Sequence, residues 1–128
     1  DPGTGAVLAG PGAGGGDGSF RTERALREDP LDESPLAAAH TTLVCVASSV
    51  AFDPAALRRV AIEAHDGLAR AVRPAHSVVD GDVVFALAPS GSPPPVLTRL
   101  RVGAAAAEAT ARAIVAAVTA SGRPGPPG

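Results

Sequence analysis

From Thr41 onward, apolar residues fall into short unbroken runs and longer periodic ones. Thr41–Ala47 (TTLVCVA) is rich in β-branched residues, and its apolar run Leu43-Val44-Cys45-Val46 predicts a short strand covered on both faces. Asp53-Pro54 is a helix start, with Asp as N-cap and Pro at the first helical position. Beyond it Leu57, Ala61, Ala64 and Leu68 fall on one stripe, while Arg58, Arg59, Glu63, Asp66 and Arg70 occupy other faces. Asp66–Arg70 has the favourable i, i+4 order, and the helix is expected to end before Pro74. A loop from Ala75 to Gly81 carries His76, and Asp82 opens a second predicted strand, Val83 to Ala88. Pro89 to Pro95 breaks the pattern. Val96 to Ala120 then reads as a long Ala-rich helix with a Glu108–Arg112 pair, its small residues allowing close approach to a neighbour. The order β-α-β-α predicts helices layered on a sheet, an α/β fold.

The ends of the chain have no such pattern. Residues 1–18 are Gly-rich, and their GxGxxG-like text has neither a strand before it nor a helix after it, which removes the nucleotide-loop reading. Asp1 to Val7 predicts a turn leading into a short strand. Ser19 to Ala39 is charged and broken by Pro30 and Pro35, so an exposed linker is expected, with room for a short helix over Thr22 to Arg27. Such a linker directly before a buried strand is where cleavage is best tolerated.

Composition narrows the picture. The chain's 15 Gly and 13 Pro lie mostly outside the regular part, leaving roughly Leu43 to Val118 to form a core, in a chain with 3 Phe, no Trp, Tyr or Met, and much Ala. Alanine buries little area per residue, so this domain is expected to pack against further protein. The start at Asp1 rather than Met points to a fragment or a processed product. A net charge of −2, with 11 basic residues that are all Arg and no basic run, argues against nucleic-acid binding. The single Cys45 excludes an intrachain disulfide, reads as a small buried hydrophobe and fits a reducing, cytoplasmic setting. Val102 to Val118 is apolar, but Glu108, Arg112 and the predominance of Ala argue against a membrane span.

Two stretches carry side chains able to do chemistry. Thr41, first in the predicted strand, is a good strand former whatever its function. Placed after a strained peptide bond, its hydroxyl can instead attack the carbonyl of His40, giving an ester that water hydrolyses. The new N-terminus then carries an α-amine beside the same hydroxyl, and with an ordinary pKa of about 7.7–8 that amine is a suitable base for it. The same Thr could go on to attack amide or ester substrates through an acyl-enzyme, a route that needs an oxyanion hole. Asp80-Gly81-Asp82 is either an exposed turn or two carboxylates able to hydrogen-bond the Thr hydroxyl and amine. A divalent-cation site would want more oxygen ligands than stand nearby. His65 and Asp66, adjacent on a helix, point in different directions and do not make a catalytic pair.

Taken together, His40-Thr41-Thr42-Leu43, Ala64-His65-Asp66-Gly67-Leu68-Ala69-Arg70, Arg73-Pro74-Ala75-His76 and Asp80-Gly81-Asp82-Val83-Val84-Phe85-Ala86-Leu87 resemble the DmpA-type aminopeptidase family. These are the L-aminopeptidase/D-esterases and β-peptidyl aminopeptidases. The likeness runs in order from His40 to Ala88. It implies that the β-α-β-α unit is part of an α/β/β/α sandwich with flexible Gly/Pro-rich ends. It also implies self-cleavage between His40 and Thr41, with Thr41 as N-terminal nucleophile and Asp80 and Asp82 as its acidic partners.

Residues 1–40 then correspond to the end of the first subunit and its linker, 41–120 to the catalytic portion, and 121–128 to a disordered tail. The implied activity is release of N-terminal residues from peptides, amides or esters, without metal or cofactor. The implied partners are that substrate, the remaining N-terminal part or other subunits, and further copies in a homo-oligomer, with no nucleic acid or membrane. Two departures stand out. His40 replaces the Asn usual before the nucleophile in Thr-type relatives, and the pocket and oxyanion groups of the longer members have no counterpart here. A truncated, catalytically silent relative acting as an interaction partner is the alternative, and an acyltransferase using the same Thr is a third.

Overall fold

The structure is a computed structural model that describes residues 1–6, 8, 26–27 and 41–121. Its elements are β1 (Leu43–Ala47), α1 (Pro54–Ala71), β2 (Val83–Leu87) and α2 (Val96–Ala120), a mixed α/β arrangement in the predicted order. β1 and β2 pair in parallel, in register from Leu43 opposite Val83 to Ala47 opposite Leu87. Parallel strands need a long crossover, and α1 supplies it. Of the predicted Asp1–Val7 segment, the turn is present: Gly3 N donates to Asp1 Oδ1 at 2.8 Å, and the terminal amine donates to Ala6 O at 2.7 Å. In the charged linker Leu26 and Arg27 are helical. The remainder of that predicted helix, and residues 122–128, lie outside the described residues.

α1 starts where Asp53-Pro54 predicts. Asp53 is extended, and its carboxylate accepts from Ala56 N at 2.7 Å, satisfying one of the free donors of the first turn. The strand pairing continues beyond β1 and β2: Ser48 N donates to Leu87 O at 2.9 Å, Phe52 N to Pro89 O at 3.0 Å and Gly91 N to Phe52 O at 3.1 Å. Phe52 is thereby pinned one residue before the cap, and at 2% exposed it anchors the core with Val60, Ala64 and Ala106. Val46, Val50, Leu57, Val84 and Val102 pack around this cluster.

The buried positions of α1 are Val60, Ala64, Gly67 and Leu68. The predicted stripe through Leu57 and Ala61 is only half-buried there, because α1 faces two partners rather than one. One flank meets the sheet. The other lies along α2, whose buried residues are Gly103, Ala106, Ala107, Thr110 and Ala111. Contact is close enough that a Cβ at Gly67 would fall on the Ala107 carbonyl, and one at Gly103 on the Glu63 carboxylate.

Charges also meet between helices rather than only along them. Arg70 Nε donates to the Asp66 main-chain oxygen at 3.3 Å, and its Nη1 lies 3.7 Å from Glu108 Oε2. By length and composition alone α2 could cross a membrane, with a mean hydropathy of 1.3 over its best window. The core helix of a globular domain passes the same test.

The expectation that β1 is covered on both faces is not met by the described residues. Val44, Val46, Val84 and Ala86 turn toward the helices, while Leu43, Cys45, Ala47, Val83, Phe85 and Leu87 are exposed on the opposite face. Leu43 is 71% exposed, Phe85 57% and Leu87 58%. Cys45, expected to be buried, is exposed for the same reason. Strict alternation of side chains across a strand puts every odd-numbered residue of β1 and β2 on the open face.

Candidate active site

The head of the sheet is where the predicted residues meet. In a parallel pair, residues entering adjacent strands lie side by side, so Thr41-Thr42 before β1 and Asp82 before β2 come together. Thr42 N donates to Asp82 Oδ1 at 2.8 Å, and Thr42 O accepts from Val83 N at 3.0 Å. Both main-chain groups of Thr42 are thus bound to the Asp82–Val83 step. Asp82 is half-buried and Thr41, one residue upstream, is exposed. A carboxylate bonded to a main-chain N–H is fixed in direction by a charge-assisted bond, and it is fixed next to Thr41.

Asp80 stands differently. Its Oδ2 accepts from Ser77 N at 2.6 Å, while Asp80 N donates to Ser77 O at 3.1 Å. The side chain therefore closes the Ser77–Asp80 turn, a common use of Asp at such positions. Among the described residues, neither carboxylate is hydrogen-bonded to the Thr41 hydroxyl. His40, the other half of the predicted cleavage point, lies outside the described residues.

One feature of this region has no local signature in the sequence. His65, on α1, places Nδ1 3.0 Å from Nε2 of His76, in the loop that runs to Asp80. The rings are tilted by 60° with centroids 5.0 Å apart. The two histidines are eleven positions apart and a proline lies between them, so no helical or strand period could have signalled the contact. His65 pairs with His76, not with Asp66. Among the described residues no group of three or more His, Cys, Asp or Glu side chains gathers to hold a metal ion.

A mixed α/β unit with a hydroxyl and a fixed carboxylate at one end of its parallel sheet is suited to nucleophilic chemistry. Comparison with known families gives the class. Residues 4–124 match peptidase family S58, and the chain belongs to that family. It is 43% identical to an uncharacterized aminopeptidase of Mycobacterium bovis over 120 aligned positions, covering 75% of this chain and 35% of that protein. An uncharacterized aminopeptidase of Mycobacterium tuberculosis matches with the same figures, 43% over 120 positions, 75% and 35%. One of Mycobacterium leprae is 45% identical over 101 positions, covering 70% of this chain and 28% of that protein. The chain thus spans about a third of the length of these relatives. No solved structure matches.

Proposed function

We propose that this chain carries the catalytic Thr of an N-terminal-nucleophile aminopeptidase of the DmpA type, made by self-cleavage between His40 and Thr41. The observation that carries this reading is the 2.8 Å bond from Thr42 N to Asp82 Oδ1, which holds a carboxylate beside Thr41 without occupying the Thr41 hydroxyl. Membership of peptidase family S58 and likeness to proteins named aminopeptidases support it.

In the proposed sequence the Thr41 hydroxyl attacks the His40 carbonyl, and the peptide nitrogen leaves as the Thr41 α-amine while an ester forms at Thr41 Oγ1. Water hydrolyses the ester, leaving His40 as a carboxylate and Thr41 as a free N-terminus. That amine then takes the proton of its own hydroxyl as Thr41 attacks a substrate carbonyl. The leaving amine departs protonated and a second water releases the acyl group. Asp82 orients the amine and hydroxyl and offsets the ammonium charge. Asp80, two residues away, holds the turn in the ground state and completes the acidic pair.

The exposed apolar face of the sheet supports the sandwich reading, in which a second sheet from the rest of the protein covers Leu43, Phe85 and Leu87. The oxyanion groups and substrate pocket would then come from that remaining part. The substrate is a peptide, amide or ester with a free N-terminal residue. The proposed setting is cytoplasmic and homo-oligomeric.

The test is turnover of aminoacyl-p-nitroanilides by the natural protein carrying this chain. Thr41→Ala should abolish it. Turnover by Thr41→Ala equal to that of the unaltered protein would remove Thr41 from the mechanism.

A further inference from the structure

We infer that His65 and His76 are positioning residues that hold the acidic loop at the head of the sheet, an inference that rests on the proposed role of Thr41 and Asp82. A chain of short contacts runs from α1 to Thr42, the residue after the candidate nucleophile. His65 is fixed on a helix whose next turn, Gly67 and Leu68, is buried. Its Nδ1 meets His76 Nε2 at 3.0 Å. The next residue along the loop, Ser77, donates its N–H to Asp80 Oδ2 at 2.6 Å. Two residues beyond Asp80, Asp82 Oδ1 accepts from Thr42 N at 2.8 Å. Between the end of α1 and the start of β2 there is no further helix or strand, and Asp80 takes part in a single β-bridge.

His76 sits at φ 60°, in the left-handed region that a residue with a Cβ enters at a cost of about 1 kcal/mol or more. A side chain held there by a partner on a rigid helix fixes the direction in which the loop leaves. The ring–ring bond has one donor and one acceptor, so it persists only while at least one of the two imidazoles is neutral. Among the described residues neither ring is hydrogen-bonded to Thr41, so in this inference both act through the loop and not on the substrate.

The experiment measures the rate at which the His40–Thr41 bond is cut in the natural protein, in variants shown by circular dichroism to be folded. His65→Ala and His76→Ala should each slow cutting by about 3- to 10-fold, the worth of one hydrogen bond. His65→Asn places an amide where Nδ1 lay, and His76→Gln places one where Nε2 lay, so each should restore most of the rate. The double Ala variant should be no slower than either single one.

Hydrogen exchange at the Ser77 and Thr42 amides, which should quicken in His65→Ala, reads the positioning with no chemistry involved. Unchanged exchange and unchanged cutting in both Ala variants would overturn the inference, as would amide variants no better than Ala, or a double effect equal to the product of the single ones. The Thr41 reading fails separately: if Thr41→Ala is still cut while the exchange effect stands, the histidine pair holds the loop but Thr41 is not the nucleophile.

Discussion

Asp82 and Thr110 show how differently one polar side chain can stand in this small domain. Asp82 spends an oxygen on Thr42 N and remains half-buried at the edge of the sheet. A hydrogen bond to a charged group contributes about 1.5–3 kcal/mol, so Asp82→Ala should slow cleavage at His40–Thr41 by about 10- to 100-fold, read as the half-time of the uncut chain. A variant cut at the normal rate would show that the carboxylate is only a strand-start anchor.

Thr110 is the opposite case: it is 2% exposed in the helix interface, and its Oγ1 has no hydrogen-bond partner among the described residues. A buried unpaired hydroxyl is a cost, so Thr110→Val, nearly the same shape, should raise stability by about 1 kcal/mol in urea unfolding. At this scale the place of Asp82 at a strand start was legible, because Asp-Gly-Asp stands directly before an apolar run. The His65–His76 bond was not, since it joins positions that only the folded loop brings together.

Between elements, stability is carried by how closely α1 and α2 approach. With Gly67 against the Ala107 carbonyl and Ala64 and Ala106 beside it in the core, the two helices meet backbone to backbone. Such contact suits Ala-rich surfaces, which cannot gain much area per residue and instead gain from density. Gly67→Ala should therefore destabilise the domain by about 1–3 kcal/mol, the usual cost of an inserted methyl with nowhere to go. A denaturation midpoint no lower than that of the unaltered chain would contradict the packing described. The helix starts and the strand order were readable from Asp53-Pro54, from the β-branched runs and from the proline breaks. The face that α1 buries was not fully readable, because a helix sandwiched between a sheet and a second helix shows a broad apolar arc and the simple stripe picks only part of it. Phe52 escaped notice for a related reason. Its burial depends on pairing with the residues after β2, far along the chain.

For the whole molecule, the governing fact is the bare side of the sheet. Leu43, Phe85 and Leu87 are each more than half exposed, on strands whose other face is packed. The sequence signal of β1 reads as a strand covered twice, and the exposed apolar residues of β2 beside it are suited to the same, but the second cover is not contributed by the described part of this chain. In the proposed sandwich that cover comes from protein outside the described residues, and the chain spans about a third of the length of the relatives it matches. Phe85→Gln should accordingly lower the melting temperature of the full natural protein while reducing dye binding to exposed apolar surface in the isolated chain. A full protein indifferent to that change would mean the face stays open and the sandwich reading is wrong.

The central claim concerns one bond, and intact-mass measurement of the natural protein tests it most directly. The account predicts two fragments, the second beginning at Thr41, and a single uncut chain in Thr41→Ala. A natural protein that remains whole, or a Thr41→Ala variant cut at the same place, would contradict it.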